Sequence, residues 1–310
     1  YYWNYRKGES IIMKNWKKIT LITGTVCTIL GFFLLIFGLF AGGIQYLTST
    51  DLGSFNNSDK SAAKVQKLVT EELSPYKNLD VSLDSLNLQV RYSKDNTYAL
   101  SYKNTKTSKT KSTTPITWSQ SGNTLKIRER NLKKHTWFHI DLNFLICLFG
   151  NDDEKEAVSD EDMVTLYIPK NAAFDQITLE NNDGNLLLNN LRTSQGIIHV
   201  DDGDIIFKNC ALRNTLLTSN DGDVLSTATS YSGNTAITCK DGDVLFYRAA
   251  DVLKPLSLKL ETNDGEIIVP SSFSGKVKEN DDKSIYQQNG RDGYGTLSIQ
   301  SEDGDIILHS

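Results

Sequence analysis

The stretch Asp201-Asp202-Gly203-Asp204-Ile205-Ile206 is one of six similar segments in the second half of this 310-residue chain. Each segment has Asp-Gly followed by a short aliphatic run. The six dipeptides are Asp183-Gly184, Asp202-Gly203, Asp221-Gly222, Asp241-Gly242, Asp264-Gly265 and Asp303-Gly304. Their aspartates lie 19, 19, 20, 23 and 39 residues apart, which predicts one degenerate repeat inside the last interval. A period of about 20 residues is typical of a solenoid, in which each coil of the chain is one small unit.

The Asp-Gly dipeptides have a clear conformational meaning. Glycine adopts positive φ without a steric penalty, and Asp or Asn before it tolerates a left-handed conformation, so each dipeptide predicts a turn. A strand before the turn and a second strand after it would make one rung. A meander of β-hairpins is the alternative, because Asp-Gly also favours hairpin turns. The constant period favours the parallel solenoid, since rungs stacked about 4.8 Å apart align equivalent positions.

The alternating pattern sets the predicted domain boundaries. Apolar residues recur at every second position from Leu79, so residues 79–310 are predicted to form the solenoid, with a further strand over 138–148. Residues 45–78 are predicted to be a linker with a short juxtamembrane helix over 61–73, which Pro75 ends. The predicted fold is therefore an all-β parallel solenoid that follows two helices.

The first of these helices is predicted to cross a membrane. Residues 19–44 carry no charge and are long enough to span a hydrocarbon core of about 30 Å. Lysines lie just before this run, so residues 1–18 are expected in the cytoplasm and the rest outside, in a single-pass protein of the cell membrane. A cleaved signal peptide is the alternative, although its apolar region is usually shorter. Met13 is the expected start of translation, which would leave residues 1–12 untranslated.

Small residues share one face of the predicted membrane helix. A face of this kind lets another helix approach closely, and it predicts self-association or a membrane partner. Its members are Gly24, Thr28, Gly31, Gly38 and Gly42.

Composition and motifs argue against several functions. The chain has 33 basic and 38 acidic side chains, so no nucleic-acid partner is expected. Its four histidines are scattered, and no nucleophile, phosphate-binding or zinc motif is present. A carbohydrate-active β-helix enzyme stays open as an alternative, because acidic residues could line a groove. An active site is local, however, whereas every rung has the acid, so we expect no enzyme.

The repeated acids raise the question of a bound cation. In stacked rungs they would form a column of like charges, and calcium prefers several carboxylate and carbonyl oxygens. The candidate calcium column consists of Asp202, Asp204, Asp221, Asp223, Asp241 and Asp243. The glycine density of a nine-residue calcium roll is absent, however. The sequence therefore predicts structural turns without a cofactor, and leaves calcium as the alternative.

The repeats also resemble a known family. The Asp-Gly-Asp-Ile-Ile pattern, preceded by Val164-Thr165-Leu166-Tyr167-Ile168-Pro169 and an N-terminal anchor, is similar to the bacterial putative-adhesin family of β-strand-repeat envelope proteins. That family includes the LiaG-like membrane proteins of Gram-positive bacteria. The resemblance covers about residues 79–310. It implies a single-pass envelope protein with an extracytoplasmic β-solenoid, and it supplies no catalytic residues.

These observations predict a membrane-anchored, extracytoplasmic binding or scaffold module whose partner is an envelope protein or a cell-wall polymer. The alternative is a regulator of envelope-stress signalling that acts through membrane partners. The last repeat, at residues 302–308, ends close to the last residue. An uncovered strand edge invites pairing. We therefore expect an earlier segment or a partner to cover that edge, with self-association as one outcome.

Overall fold

Strands dominate the structure. The computed structural model describes residues 68–106, 112–130, 162–280 and 283–309. These residues form one helical turn, α1 (Ala249–Val252), and 25 strands. The strands are β1 Leu68–Leu73, β2 Asn78–Leu83, β3 Asn87–Tyr92, β4 Tyr98–Lys103, β5 Thr105–Lys106, β6 Ser112–Thr113, β7 Ile116–Ser121, β8 Thr124–Glu129, β9 Met163–Ile168, β10 Gln176–Asn181, β11 Leu186–Asn189, β12 Arg192–Thr193, β13 Gly196–Asp202, β14 Ile205–Lys208, β15 Ala211–Arg213, β16 Thr215–Asp221, β17 Val224–Thr227, β18 Ser230–Asp241, β19 Val244–Tyr247, β20 Ser257–Asp264, β21 Ile267–Ile268, β22 Lys276–Asn280, β23 Lys283–Gln288, β24 Gly295–Asp303 and β25 Ile306–Leu308. The prediction of an all-β fold is confirmed.

The strands stack into two main sheets, one on each side of the Asp-Gly turns. The ten-stranded sheet has the order β1-β4-β9-β3-β11-β14-β17-β19-β25-β21. The larger sheet, called the long sheet below, has the order β22-β23-β20-β24-β18-β16-β13-β10-β2-β8-β7 along its main path. Central neighbours pair in parallel, one rung apart, as Ile198 does with Leu217 and Ile205 does with Val224. The predicted parallel solenoid is therefore present.

The central coils have one more strand than the sequence predicted. Strand β12 pairs in parallel with β15, and β15 pairs in parallel with the first residues of β18. These short strands follow a residue with positive φ, Asn190 or Asn209, which turns the chain out of the ten-stranded sheet. Each central rung thus has three strands instead of two.

The core lies between the two sheets. Residues such as Ile198, Leu217 and Ile237 point inward from the long sheet and face Ile205 and Val224 of the ten-stranded sheet, and all are at most 2% exposed. Full burial of one such side chain contributes about 1.5–3 kcal/mol. Two-residue alternation along each strand places these side chains inside and the intervening ones outside.

Rung order differs from chain order at both ends of the stack. The last rung, β24 and β25, lies between the rung of β18 and β19 and that of β20 and β21. The first rung, β2 and β3, likewise lies between that of β8 and β9 and that of β10 and β11. The C-terminal rung is thus covered by an earlier segment, one of the two predicted outcomes. Residues 302–308 consequently offer no free strand edge for the self-association predicted there.

Two further predictions were wrong. Between Asp264 and Asp303 the chain forms β22 and β23, an antiparallel pair on the edge of the long sheet, instead of a degenerate parallel rung. Residues 68–73 form β1 instead of the second half of the predicted helix over 61–73. Strand β1 pairs antiparallel with β4 along six residues, and those cross-strand hydrogen bonds outweigh the helical spacing of its apolar residues.

Several predictions fall on residues that the structure does not describe. These are the membrane span at 19–44, the first part of the helix over 61–73 and the strand over 138–148. Among the described residues, no helix is long and apolar enough to cross a membrane.

Candidate functional site

Two features of the stack require the glycines of the Asp-Gly turns: a positive φ at four of them and a close approach to the neighbouring rung at all six. Gly222 has φ +121°, and a Cβ added there would lie 2.4 Å from the carbonyl oxygen of Gly203 in the previous rung. Its backbone N–H donates to the carbonyl oxygen of Asp241 in the next rung at 3.0 Å. The glycines at 203, 242 and 304 repeat this geometry with positive φ, and those at 184 and 265 repeat the close approach. A side chain would collide with the neighbouring backbone.

The residue after each glycine forms a hydrogen-bonded ladder along the stack. The backbone N–H of Asp223 donates to Oδ1 of Asp204 at 2.9 Å, and that of Asp243 donates to Oδ1 of Asp223 at 2.9 Å. The same type of hydrogen bond joins the other neighbouring rungs. The backbone N–H of the first residue donates to Oδ1 of the second in the pairs Asn185–Asn87, Asp204–Asn185, Asp305–Asp243 and Glu266–Asp305. We call these residues the inner column. The acceptor side chains of this ladder satisfy N–H groups that the turns leave without a carbonyl partner; they are Asn87, Asn185, Asp204, Asp223, Asp243 and Asp305.

The aspartate before each glycine has a different environment. These six side chains are exposed and line up along one edge of the solenoid. We call them the outer column: Asp183, Asp202, Asp221, Asp241, Asp303 and Asp264. The backbone of each joins its neighbours, as where the Gly203 N–H donates to the Asp221 carbonyl oxygen at 3.0 Å. The sequence analysis placed acids of both columns in one candidate site. In the structure, the inner side chains accept hydrogen bonds between rungs, whereas the outer side chains are exposed.

Electrostatics differ along the two columns. Partial burial raises the pKa of Asp223, and the neighbouring carboxylate of Asp243 adds to the rise. The hydrogen bond from the Asp243 N–H opposes it. Desolvation also raises the pKa of Asp183, followed by repulsion from nearby carboxylates, chiefly Asp84 and Asp202. The acids of the turn edge therefore repel one another, and hydrogen bonds stabilise the inner column against that repulsion.

Small polar side chains close the turns from inside, a feature that sequence reasoning missed. The Ser219 hydroxyl donates to the Gly222 carbonyl oxygen at 3.3 Å, and the Thr262 hydroxyl donates to that of Gly304 at 2.8 Å. The buried Cys239 thiol is free and donates to the Gly242 carbonyl oxygen at 3.4 Å, and burial raises its pKa to about 12. A signal was present: the residue two before the turn aspartate is small and polar in every repeat except at Val200.

The first rung has no Asp-Gly turn, and a glutamate replaces the missing contacts. The Glu129 carboxylate accepts the backbone N–H groups of Asp84, Ser85 and Leu86 at 2.8, 2.9 and 3.1 Å. It also accepts the Ser85 hydroxyl at 2.9 Å. Glu129 is the last residue of β8, so this cluster joins two rungs that are far apart in sequence.

The structure uses the candidate calcium ligands in other ways. Oδ1 of Asp204, Asp223 and Asp243 is already bonded to a backbone N–H. Within the described ranges, no group of three or more His, Cys, Asp or Glu side chains is arranged to hold a metal ion. The turn and the ladder account for the repeated acids, and the expectation of turns without a cofactor, with calcium as its alternative, stays a prediction. The predicted packing face at Gly24, Thr28, Gly31, Gly38 and Gly42 lies outside the described residues.

The outer surface of the long sheet presents side chains that are aligned from rung to rung. Two columns of its outward positions run across β10, β13, β16, β18, β24 and β20, and a third column next to the turns contains the charged Lys240 and Glu302. On the three strands β16, β18 and β24 the first two columns have no charged side chain. We call this centre the neutral face: Leu216, Thr218, Ala236, Thr238, Ser298 and Gln300. Charged residues flank it, such as the Glu261–Lys283 ion pair at 2.5 Å.

Comparison with known proteins identifies relatives of this architecture. The family model described as Toastrack DUF4097 matches residues 76–246 and, a second time, residues 198–309. No curated protein matches the chain in sequence.

Two crystal structures are similar to the chain. The first is of a putative cell adhesion protein from Clostridium sporogenes, with 10% identity and a TM-score of 0.41 over 79% of this chain and 99% of that one. The second is of a putative adhesin from Bacteroides fragilis, with 12% identity and a TM-score of 0.31 over 79% of this chain and 98% of that one.

Proposed function

This chain belongs to the Toastrack DUF4097 family, and from that premise we propose that it is a non-enzymatic binding module whose neutral face takes an extended partner. The observation that carries the proposal is the alignment of outward side chains on β16, β18 and β24, where each rung presents two small or uncharged side chains in register. A repeating surface of this kind suits a repeating or extended ligand.

The partner that this surface fits is a neutral polymer of the cell wall. Thr218, Thr238 and Gln300 supply hydrogen-bonding groups without charge, and Leu216, in the neighbouring column, is 50% exposed. Such a surface makes many weak contacts with sugar hydroxyls and apolar ring faces. The position of the acids supports a role without catalysis, because the inner column is engaged in backbone hydrogen bonds along the whole stack.

Membrane anchoring is part of the proposal. The uncharged run at 19–44 and the lysines before it support a single-pass, LiaG-like protein of a Gram-positive envelope, with the solenoid outside the cell. A tether would keep the neutral face close to the wall and raise its effective concentration there.

The test is binding of the full chain, reconstituted in nanodiscs, to isolated Gram-positive cell-wall fragments. A double variant with Leu216→Glu and Ala236→Glu places two charges in the neutral face. We expect it to bind at least about tenfold more weakly, because each desolvated, unpaired charge costs more than about 1 kcal/mol. Soluble sugar release is measured in the same samples and is expected to be absent.

The matched control is Ile268→Glu. Ile268 is 46% exposed, close to the 50% of Leu216, but it lies on the ten-stranded sheet. The control should bind as the unchanged chain does. Equal binding by all three proteins, or equal loss in both variants, would reject the neutral face as the binding surface. Release of sugar that depends on a single acid would favour a carbohydrate-active enzyme.

A further inference from the structure

Asp-Gly is a reactive dipeptide as well as a turn. The backbone nitrogen of the glycine attacks Cγ of the aspartate, because the two atoms close a five-membered ring and glycine has no side chain to hinder its nitrogen. A C–N bond forms, the C–O bond of the protonated carboxyl group breaks, and the hydroxyl leaves with the amide proton as water. Water then opens this succinimide at one of its two carbonyl groups. The product is aspartate again or iso-aspartate, whose backbone runs through Cβ.

The chain has seven Asp-Gly dipeptides on which this reaction could occur. Six are the turns of the stack, and the seventh, Asp292-Gly293, lies in the loop before β24. All seven aspartates are exposed. Because neither residue type nor exposure distinguishes these sites, the environment of the glycine nitrogen decides which of them react.

Five of the glycine N–H groups donate hydrogen bonds. Gly184 donates to Oδ1 of Asn181 at 3.2 Å. The other four donate to the aspartate carbonyl oxygen of the next rung, at 3.0, 3.0, 3.1 and 3.2 Å in turn: Gly203, Gly222, Gly242 and Gly304. A nitrogen that is bonded in this way must lose its acceptor before it attacks Cγ, so the stack opposes ring closure at these turns.

The glycine of the last rung lacks this bond. Gly265 follows β20, and the stack has no further Asp-Gly turn beyond it. Among the residues that the structure describes, none accepts its N–H. Strand β23 pairs with β20 only as far as Thr262, so Asp264 and Gly265 lie past the end of that pairing.

The loop glycine is also unrestrained. A Cβ added at Gly293 would meet nothing within 4 Å, so no neighbouring rung approaches it. Within the described ranges, its N–H has no acceptor either. The loop site therefore shows how an Asp-Gly dipeptide outside the stack should behave.

We propose that Asp264-Gly265 and Asp292-Gly293 are sites of spontaneous aspartate isomerisation, and that stacking protects the other five dipeptides. Iso-aspartate at 264 would insert one extra backbone carbon between β20 and β21, the two strands of the last rung. Strand β21 has two residues, and its pairing with β25 starts at Ile267. The modification should therefore loosen the end of the stack and leave the inner rungs unchanged, whatever the neutral face binds.

Oxygen-18 labelling of the full chain in nanodiscs tests the proposal. The protein is aged in oxygen-18 water and digested in ordinary water. Each cycle of ring closure and hydrolysis leaves one heavy oxygen in the residue, so mass spectrometry compares all seven sites in one sample. We expect Asp264 and Asp292 to acquire label at least about fivefold faster than any of the five bonded turns, because a hydrogen bond must break first at those turns.

Two controls show that the folded structure causes the difference. With the solenoid unfolded in urea, all seven sites should acquire label at similar rates, because each has the same pair of residues. Asp264→Glu is the matched variant, since glutamate would have to close a larger ring. It should abolish labelling at position 264 and leave the rate at Asp292 unchanged.

Three results would overturn the proposal. Equal labelling of all seven sites in the folded chain would mean that the bond to the next rung gives no protection. Labelling at Asp292 without labelling at Asp264 would show that another contact restrains the last turn. Labelling in urea alone would show that the folded chain prevents ring closure at both sites.

Discussion

The two aspartates of one turn, Asp221 and Asp223, stand on either side of Gly222 and have the same chemistry, yet the structure uses them differently. Asp223 is half-buried, and its Oδ1 accepts the N–H of Asp243 at 2.9 Å. Asp221 is exposed, and its contact with the neighbouring rung is made by its backbone, which is the register partner of Asp202. Repetition of a residue therefore has two separate causes here: a side-chain bond between rungs, and the conformational preference of a turn.

The glycine between the two columns should give the largest effect. Gly222→Ala adds a Cβ 2.4 Å from the Gly203 carbonyl oxygen at φ +121°. We expect a loss of about 3 kcal/mol or more in the free energy of unfolding, from backbone strain and overpacking together. Urea unfolding of the purified chain measures this loss.

Gly293→Ala is the control for that substitution. Gly293 has φ +86°, but a Cβ there meets nothing within 4 Å. Backbone strain alone should cost about 1 kcal/mol. If both variants lost the same stability, close stacking of the turns would not be the reason for the repeated glycine.

The next effect separates the inner column from the outer column. Asp223→Ala leaves the part-buried Asp243 N–H without its acceptor, at a cost of about 1–3 kcal/mol in the free energy of unfolding. Asp221→Ala removes an exposed side chain and should change stability by less than about 0.5 kcal/mol. Chemical denaturation of both variants under one condition makes the comparison direct.

An amide should replace the inner carboxylate. Asn185 already serves in the ladder, because its Oδ1 accepts the Asp204 N–H at 2.7 Å. Asp223→Asn is therefore expected to retain most of the stability that Asp223→Ala loses. A loss as large as that of the alanine variant would mean that charge, not the hydrogen bond, determines the residue at this position.

Much of the regular architecture was predictable because period, turn and alternation all describe the same coil. The parallel rungs and the inward Ile205 and Phe207 follow from local spacing. The ladder of the inner column was not predicted, since a sequence shows that Asp204, Asp223 and Asp243 repeat but not which atom each one contacts. Local spacing was also misleading at residues 68–73, where pairing with β4 decides the conformation.

The ends of the stack could not be predicted for a related reason. Rung order depends on which strands pair with the edge strands at the two ends of the stack. Those pairs join residues that are far apart in sequence. The insertion of β24 and β25 beneath β20 and β21, and the Glu129 cluster that joins β8 to the first rung, both arise from residues far apart in sequence. Repeat spacing contains no information on such exchanges.

A smaller effect is expected from repulsion at the outer column. Burial and the carboxylates of Asp84 and Asp202 raise the pKa of Asp183 above its ordinary value of 3.8. The folded state therefore holds this proton more tightly than the unfolded chain. The resulting penalty is present above the folded pKa and disappears as the pH falls below the unfolded pKa.

Asp183→Asn should remove that penalty. Because the side chain is exposed, we expect a gain of only a few tenths of a kcal/mol in the free energy of unfolding at pH 7, and none at pH 3. Unfolding curves at the two pH values measure the difference. The gain should also shrink in 1 M NaCl, where the screening length is about 3 Å. A gain that persisted at pH 3 would have a cause other than charge.

Calcium should have the smallest effect. A cation that bound at 100 times its dissociation constant would stabilise the chain by about 2.7 kcal/mol and raise Tm by several degrees. Because the inner carboxylates already accept backbone N–H groups, we expect 1 mM calcium to raise Tm by less than about 1 °C beyond NaCl of equal ionic strength. A larger rise that Asp221→Asn and Asp241→Asn abolished, while Asp223→Asn did not, would make the outer column a cation site. The two aspartates of each turn would then differ in ligand binding as well as in hydrogen bonding.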